Sequence, residues 1–290
     1  MNIPSFFSKY FLVLMLPLIL SFNTAHAYVV GGAASTLVPG SGCWAWDSSC
    51  VAGFRAALEN PAYFGPGGVV EETITTVTMN TVNATTLSSV DMFIAPWVSD
   101  SDGPYFGDEV IDFFLSGGDL FLLDDSAGWD YFGQALGVPT TPSTGSVSNG
   151  GAPLFDGAFG VANDVTQHYQ VGQLSAAQIT AKGGHIGGTN VEGQVTSAYW
   201  TAGEYAAGAG SLFIIADVDM IASTSSCGFA VCGATYDPLN DNGIYALNTF
   251  SFLKDNGGSA SNVPEPSSLA LLFAGLFMLI SLRNKKVKLT

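Results

Sequence analysis

Three stretches of this chain are apolar at nearly every position: Val90–Val98 (VDMFIAPWV), Asp119–Asp124 (DLFLLD) and Ser211–Asp217 (SLFIIAD). A strand with one wet face alternates apolar and polar residues. Continuous apolar runs therefore indicate strands covered on both faces, as in a parallel sheet flanked by helices. The intervening segments carry helical signals. Phe106–Ser116 places Phe106, Val110, Ile111, Phe113 and Phe114 at helical spacing and stops at Gly117-Gly118. Trp129–Leu136 reads as a second helix, ended by Gly137 with Pro139 just beyond. Gly243–Lys254 is a third, capped by Asn240, Asp241 or Asn242, with Ala246, Leu247, Phe250 and Leu253 on one face. Alternating strands and helices predict a three-layer α/β domain with a largely parallel sheet.

Two regions break this rhythm. Gly31–Gly42 reads as a flexible Gly/Ser-rich lead, and Tyr28–Val30 alone is too short for a first strand. Residues 139–195 are dense in Gly, Ser, Thr and Asn, with weak strand signals at Ile179–Lys182 and Val195–Trp200. Such a stretch is long for an unstructured connection. It is expected to be a loop-rich insertion over one edge or end of the sheet. There is no internal repeat.

The ends are of another kind. Lys9 precedes an apolar run from Tyr10 to Leu20, and Ala25-His26-Ala27 follows with small residues where signal peptidase reads. The run is shorter than the ~20 residues a membrane span needs, so residues 1–27 are expected to be a cleaved signal peptide. At the other end stand Val263-Pro264-Glu265-Pro266, the apolar run Ser267–Leu282, and a basic tail with Arg283, Lys285, Lys286 and Lys288. By the positive-inside rule that tail stays cytoplasmic and the body lies across the membrane, in agreement with the signal peptide.

Between the ends, 28–262 is long enough for one large domain. Of the 24 acidic residues only Glu265 lies outside it, and of the eight basic ones only Arg55, Lys182 and Lys254 lie inside. The body thus carries 23 negative charges against 3 positive, which argues against nucleic acid or anionic lipid as a partner. Such a surface suits divalent cations and hydrated polysaccharide, or simply solubility. The cysteines form two close pairs, Cys43/Cys50 and Cys227/Cys232. In an exported chain an even count suggests disulfides. Of the three possible connectivities, the local pairing Cys43–Cys50 and Cys227–Cys232 is the expected one. A zinc site is the alternative, disfavoured because neither pair has a histidine nearby and the compartment is oxidising.

The carboxyl-terminal 28 residues resemble a PEP-CTERM sorting signal in order, spacing and position. That resemblance implies a membrane-embedded exosortase that recognises Pro264, Glu265 and Pro266 and removes the tail. It also implies an inner-membrane intermediate anchored through 267–282, and a final place at the surface or in the extracellular matrix of a Gram-negative, exopolysaccharide-making bacterium. The body faintly resembles the class I glutamine amidotransferase-like, flavodoxin-like domains. The resemblance runs through Val90–Val98, the helix to Ser116, Gly117–Leu122, Pro153-Leu154-Phe155-Asp156-Gly157, Phe213–Asp219 and the helix with Asn242 and Asn248.

In those enzymes a nucleophilic cysteine sits on a strand-to-helix turn. The matching Asp124-Asp125-Ser126-Ala127-Gly128 has no cysteine, and Asp124 stands where a glycine usually tightens the turn. Ser126 with His168 or His185 is the one nucleophile–base pairing the body could offer. The expected role of Asp124, Asp125 and Ser126 is instead to cap the following helix. Oxygen-rich loops at Asp100 and Asp102 (with Asp108), Asp217 and Asp219, and Asp237 and Asp241 could hold calcium, although none fits an EF-hand loop. Trp44 and Trp46 are candidates for stacking on sugar rings or for packing against the nearby cysteines. The expected function is a non-enzymatic matrix protein that associates with exopolysaccharide or its partners. The alternatives are a degenerate amidotransferase-like hydrolase acting on glycan or peptide, and a calcium-dependent adhesion module.

Overall fold

A computed structural model describes residues 27–125, 128–145, 147–166, 171–221 and 237–258, with the backbone alone for 41–43, 219 and 220. Its centre is a nine-stranded mixed sheet. Strands β1 (Tyr28–Ala33), β2 (Ile74–Met79), β3 (Met92–Pro96) and β4 (Asp119–Leu123) lead into short β5 (Thr141–Pro142) and β6 (Val147–Asn149). Then come β7 (Asp156–Gly157), β8 (Gly160–Val161), β9 (Val165–Thr166), β10 (Gly172–Gln173), β11 (His185–Asn190), β12 (Val195–Trp200) and β13 (Leu212–Ile215). The spatial order is β2-β1-β3-β4-β13-β12-β11-β6-β9. The first five strands are parallel and the remaining pairings antiparallel. The helices are α1 (Ser49–Leu58), α2 (Ala84–Leu87), α3 (Gly107–Leu115), α4 (Tyr131–Ala135), α5 (Ala176–Ala181) and α6 (Asp241–Asn256).

Side chains leave a strand on alternate faces, and here both faces are apolar. Met92, Ile94, Phe121, Leu123, Phe213 and Ile215 join one buried cluster with Val51 and Phe54 of α1 and Leu247 and Phe250 of α6. Phe93, Ala95, Leu120, Leu122, Leu212 and Ile214 join the other, with Val110 and Phe114 of α3 and Phe132 of α4. The apolar runs are therefore strands clad on both sides. Helix α6 starts where expected, the Asn240 side chain accepting from the Gly243 amide at 2.8 Å.

Two local expectations are corrected. The lead is no loose tether: Gly31–Ala33 completes β1, a six-residue strand paired with both β2 and β3. A β-carbon on Gly32 would lie 2.5 Å from the Trp46 ring, so the glycine lets the indole rest on the strand backbone. Ile179–Lys182 belongs to α5 and its cap, not to a strand, because Ser175 accepts from the Gln178 amide and opens a helical turn. Val195–Trp200, in contrast, is strand β12. The insertion supplies β5–β11 and α5; β11, β6 and β9 extend the sheet on its antiparallel side, while β5 pairs with β10 and β7 with β8 in two separate two-stranded sheets. Residues 1–26 of the expected signal peptide, Cys227, Cys232, Pro264, Glu265, Pro266 and the apolar run 267–282 lie outside the described residues. Among the described ones no helix is long and apolar enough to cross a membrane.

Candidate functional site

In a parallel α/β sheet, ligands gather at the carboxyl ends of the strands. Here that edge is formed by the segments after β1, β3, β4 and β13. The segment after β1 holds a 3-10 turn at Pro39–Trp44, and its Gly40 amide donates to Asp102 Oδ2 at 2.7 Å. Asp102, 4 % exposed, thus stitches the segment after β3 to the one after β1. Ser99 supports it by accepting from the Asp102 amide.

The segment after β3 opens at Trp97, the one non-glycine with positive φ (52°) among the described residues. Strict alternation would send the Trp97 side chain to the face of Phe93 and Ala95, yet it packs with Met92 and Ile94. The left-handed residue reverses the phase of the chain. It brings the indole onto Trp129, with ring centres 4.9 Å apart and planes 12° from parallel. The Trp97 amide donates to the Leu123 carbonyl at 2.8 Å.

After β4, the Asp124 carboxylate accepts from the Gly133 amide at 3.1 Å. Asp130 accepts from the Thr140 amide at 2.8 Å and from Gln134 Nε2 at 2.7 Å. Burial pushes the Asp124 carboxyl well above the usual carboxylate range, and the charge of Asp130 beside it adds to the rise. The Gly133 hydrogen bond opposes that shift. Asp124 thus caps the first turn of α4, whereas Asp130, at the position just before that helix, has its carboxylate engaged by the segment after it and by Gln134.

The candidate residues are dispersed. His185, at the start of β11, is separated from β4 by β12 and β13, three inter-strand steps or roughly 14 Å. It pairs instead with Glu204 at 3.0 Å and stacks on Tyr199. Ser126 and His168 lie outside the described residues. Asp100 is exposed and accepts from Gln134 at 3.0 Å. Asp108 is exposed in the first turn of α3. Asp217 is buried at the end of β13, and only the backbone of Asp219 is described. Asp237 accepts from the Leu239 amide, and Asp241 from the Asp164 amide. No group of three or more His, Cys, Asp or Glu among the described residues is arranged to hold a metal ion.

Trp44 and Trp46 are 4 % and 0 % exposed, which withdraws their faces from any sugar ring. The Arg55 guanidinium lies 5.8 Å from the Trp46 ring centre. Cys50 is buried in α1, while Cys227, Cys232 and the side chain of Cys43 lie outside the described parts.

The opposite edge holds polar residues that the sequence did not single out. Tyr28 Oη donates to Asp119 Oδ2 at 2.7 Å, and the Ser211 amide donates to Asp119 Oδ1 at 2.8 Å. Burial raises the Asp119 carboxyl to about 6, against the opposing hydrogen bonds from Tyr28 and Ser211. Next to it the Val29 amide donates to Asp91 Oδ2 at 2.7 Å. The available signal was an aspartate at the head of each of two buried strands, Asp91 just before β3 and Asp119 as the first residue of β4.

No family model matches the chain, and no curated protein matches it. Among solved structures, the amino-terminal domain of mmIFT52 aligns with a TM-score of 0.38 at 12 % identity, over 63 % of this chain and 84 % of that one. The exo-β-1,4-mannosidase Op5Man5 from Opitutaceae bacterium strain TAV5 aligns at 0.43 and 11 % identity, over 84 % of this chain and 39 % of its own. A cytoplasmic protein, STM3548 of Salmonella typhimurium, aligns at 0.36 and 9 %, over 77 % and 98 %. Likenesses this distant transfer no activity.

Proposed function

We propose that this is an exported, PEP-CTERM-sorted surface or matrix protein whose body is a three-layer flavodoxin-like domain used for association rather than catalysis. The observation that carries the reading is the order of its last 28 residues: Val263-Pro264-Glu265-Pro266, an apolar run, then Arg283, Lys285, Lys286 and Lys288. A plain membrane anchor needs apolar length and basic flanks, but no Pro-Glu-Pro before them. The parallel strand order β2-β1-β3-β4-β13 supports the flavodoxin-like assignment. Support for a non-catalytic role comes from the carboxyl edge of the sheet. Three of its carboxylates, Asp102, Asp124 and Asp130, each accept from a backbone amide of a neighbouring segment, and the indoles of Trp97 and Trp129 stack on each other. The body's 23 acidic and 3 basic residues suit a hydrated exopolysaccharide matrix, where solubility and electrostatic repulsion keep modules apart. Intact-mass measurement on protein recovered from the surface tests the sorting: the mature species should lack everything from about Val263–Pro266 onward. A mature species still carrying Lys285 and Lys286 refutes it.

A further inference from the structure

The residue that follows the expected leader, Tyr28, is 6 % exposed and is the first residue of a central strand. Its backbone nitrogen donates to the Thr73 carbonyl at 3.0 Å, and its phenol to Asp119. The next amide, that of Val29, is held by the Asp91 carboxylate at 2.7 Å. Glu72 immediately precedes the Thr73 acceptor. Acidic side chains therefore converge on the start of β1 from three neighbours: Glu72 ahead of β2, Asp91 ahead of β3 and Asp119 at the head of β4. From α6, Lys254 binds Glu72 at 2.6 Å and Asp255 at 2.5 Å. The other two cations of the body, Arg55 and Lys182, are engaged elsewhere, at Ser48 and Trp46 and at Tyr205. The amino edge of the sheet thus carries four carboxylates, two of them bound to its one lysine.

We propose that removal of the leader after Ala27 creates, at Tyr28, an α-ammonium that this edge is built to hold, so that processing completes the fold's electrostatics. The inference rests on the export reading and on cleavage at that bond. Hydrolysis adds water across the Ala27–Tyr28 peptide: the hydroxyl goes to the Ala27 carbonyl carbon, a hydrogen to the Tyr28 nitrogen, and the resulting amine takes a further proton from solution. One N–H of the ammonium keeps the Thr73 carbonyl. The other two, absent from a peptide nitrogen, put a positive charge one residue before the amide that Asp91 holds and next to Thr73, which Glu72 precedes. A charge-assisted bond of this kind is stronger than a neutral one, and an opposite charge within a few ångströms favours the protonated amine. The sign follows. A base whose pKa rises on folding stabilises the fold fully below its unfolded value, about 7.7–8.0 for an α-amino group, and loses that effect as pH rises through the folded value.

The test compares two chains ending at Thr290 and handled identically in detergent. One is released from a fusion so that Tyr28 comes first, and the other retains His26-Ala27. At pH 7 the Tyr28-first protein should melt about 2–4 °C higher, the shift expected of one added favourable contact in a domain this size. The gap should close by about pH 10, beyond the titration of the amine, and shrink when both chains carry Asp91→Asn. Should Asp91→Asn fail to fold, NMR titration of the isotopically methylated α-amine in the unsubstituted protein decides instead: a pKa above the ordinary range supports the proposal, and one within or below it overturns it. Equal melting at pH 7, or a gap that persists at pH 10, also overturns it. Amino-terminal sequencing of the exported protein separates the two layers. A first residue other than Tyr28 removes the cleavage on which the proposal depends, whatever the melting pair shows about the carboxylates.

Discussion

Asp119 makes the stability of this domain depend on pH in an unusual direction. A paired carboxylate commonly titrates below its unfolded value and stabilises the fold as pH rises. Asp119 is 2 % exposed and, despite hydrogen bonds from Tyr28 and Ser211, titrates near 6 because burial penalises its charge. Between about pH 4 and 6 the native state therefore binds a proton that the unfolded chain has already released. Stability falls as pH rises through that window. At 1.36 kcal/mol per pH unit, a carboxyl displaced from 3.8 to about 6 contributes about 3 kcal/mol of lost stability by pH 7. Asp119→Asn, which resembles the protonated acid, removes the dependence. Urea unfolding of both proteins at pH 4 and pH 7 reads the effect as a difference between them, so that other titrating groups, Asp124 above all, cancel. The substituted protein should gain about 2.4 kcal/mol on the parent between the two pH values, since the unfolded carboxyl is already partly ionised at pH 4. A difference constant to within about 1 kcal/mol would refute the reasoning, since one pH unit is the smallest displacement that it allows. The window lies below the ordinary range of an α-amino group, about 7.7–8.0, so the Asp119 effect and the one proposed for a Tyr28 amine are separable in one protein.

Two substitutions probe backbone features. Trp97→Gly should be more stable than Trp97→Ala by about 1 kcal/mol in thermal unfolding, because glycine relieves the left-handed φ that alanine keeps while both leave the same cavity; the reverse order would mean that the residue carries no strain. Gly32→Ala should cost about 1–3 kcal/mol, since its methyl group would overlap the buried Trp46 ring, and an unchanged midpoint in the same assay would show that the indole does not rest on the strand.

Much of the layered architecture could be read from the chain because burial on both faces leaves a direct trace. Phe93 and Ile94 point to opposite clusters, and both must be apolar. Strand β1 left a weaker trace for a packing reason. Gly31 lies against Met79 and Val90, and Gly32 lies under Trp46. These positions are as buried as any valine, but the volume is filled by the neighbour's side chain, so composition there resembles a linker. Helix α1 was legible in principle: Cys50, Val51, Phe54 and Leu58 follow helical spacing after Ser48. Beside a pair of cysteines, that pattern reads as a stapled loop.

The candidate site was less legible than the fold, and the cause is physical. A carboxylate that caps an amide and one that binds calcium follow the same strand ends and obey the same turn preferences. What separates them is the identity of the nearest donor, which depends on how loops distant in sequence meet: Gly40 with Asp102, Gly133 with Asp124, Thr140 with Asp130. Trp97 adds a case that spacing cannot reveal, because its left-handed backbone turns the indole to the face that alternation denies it. The two edges of the sheet thereby divide the labour. At the carboxyl edge, Asp102, Asp124 and Asp130 are absorbed in holding loops together. At the amino edge, Asp91 and Asp119 hold the start of β1 and Glu72 precedes its Thr73 partner, with Lys254 bound to Glu72. An excess of negative charge at that place is costly in an already acidic domain, and a new amino terminus is the cation that export itself would put there.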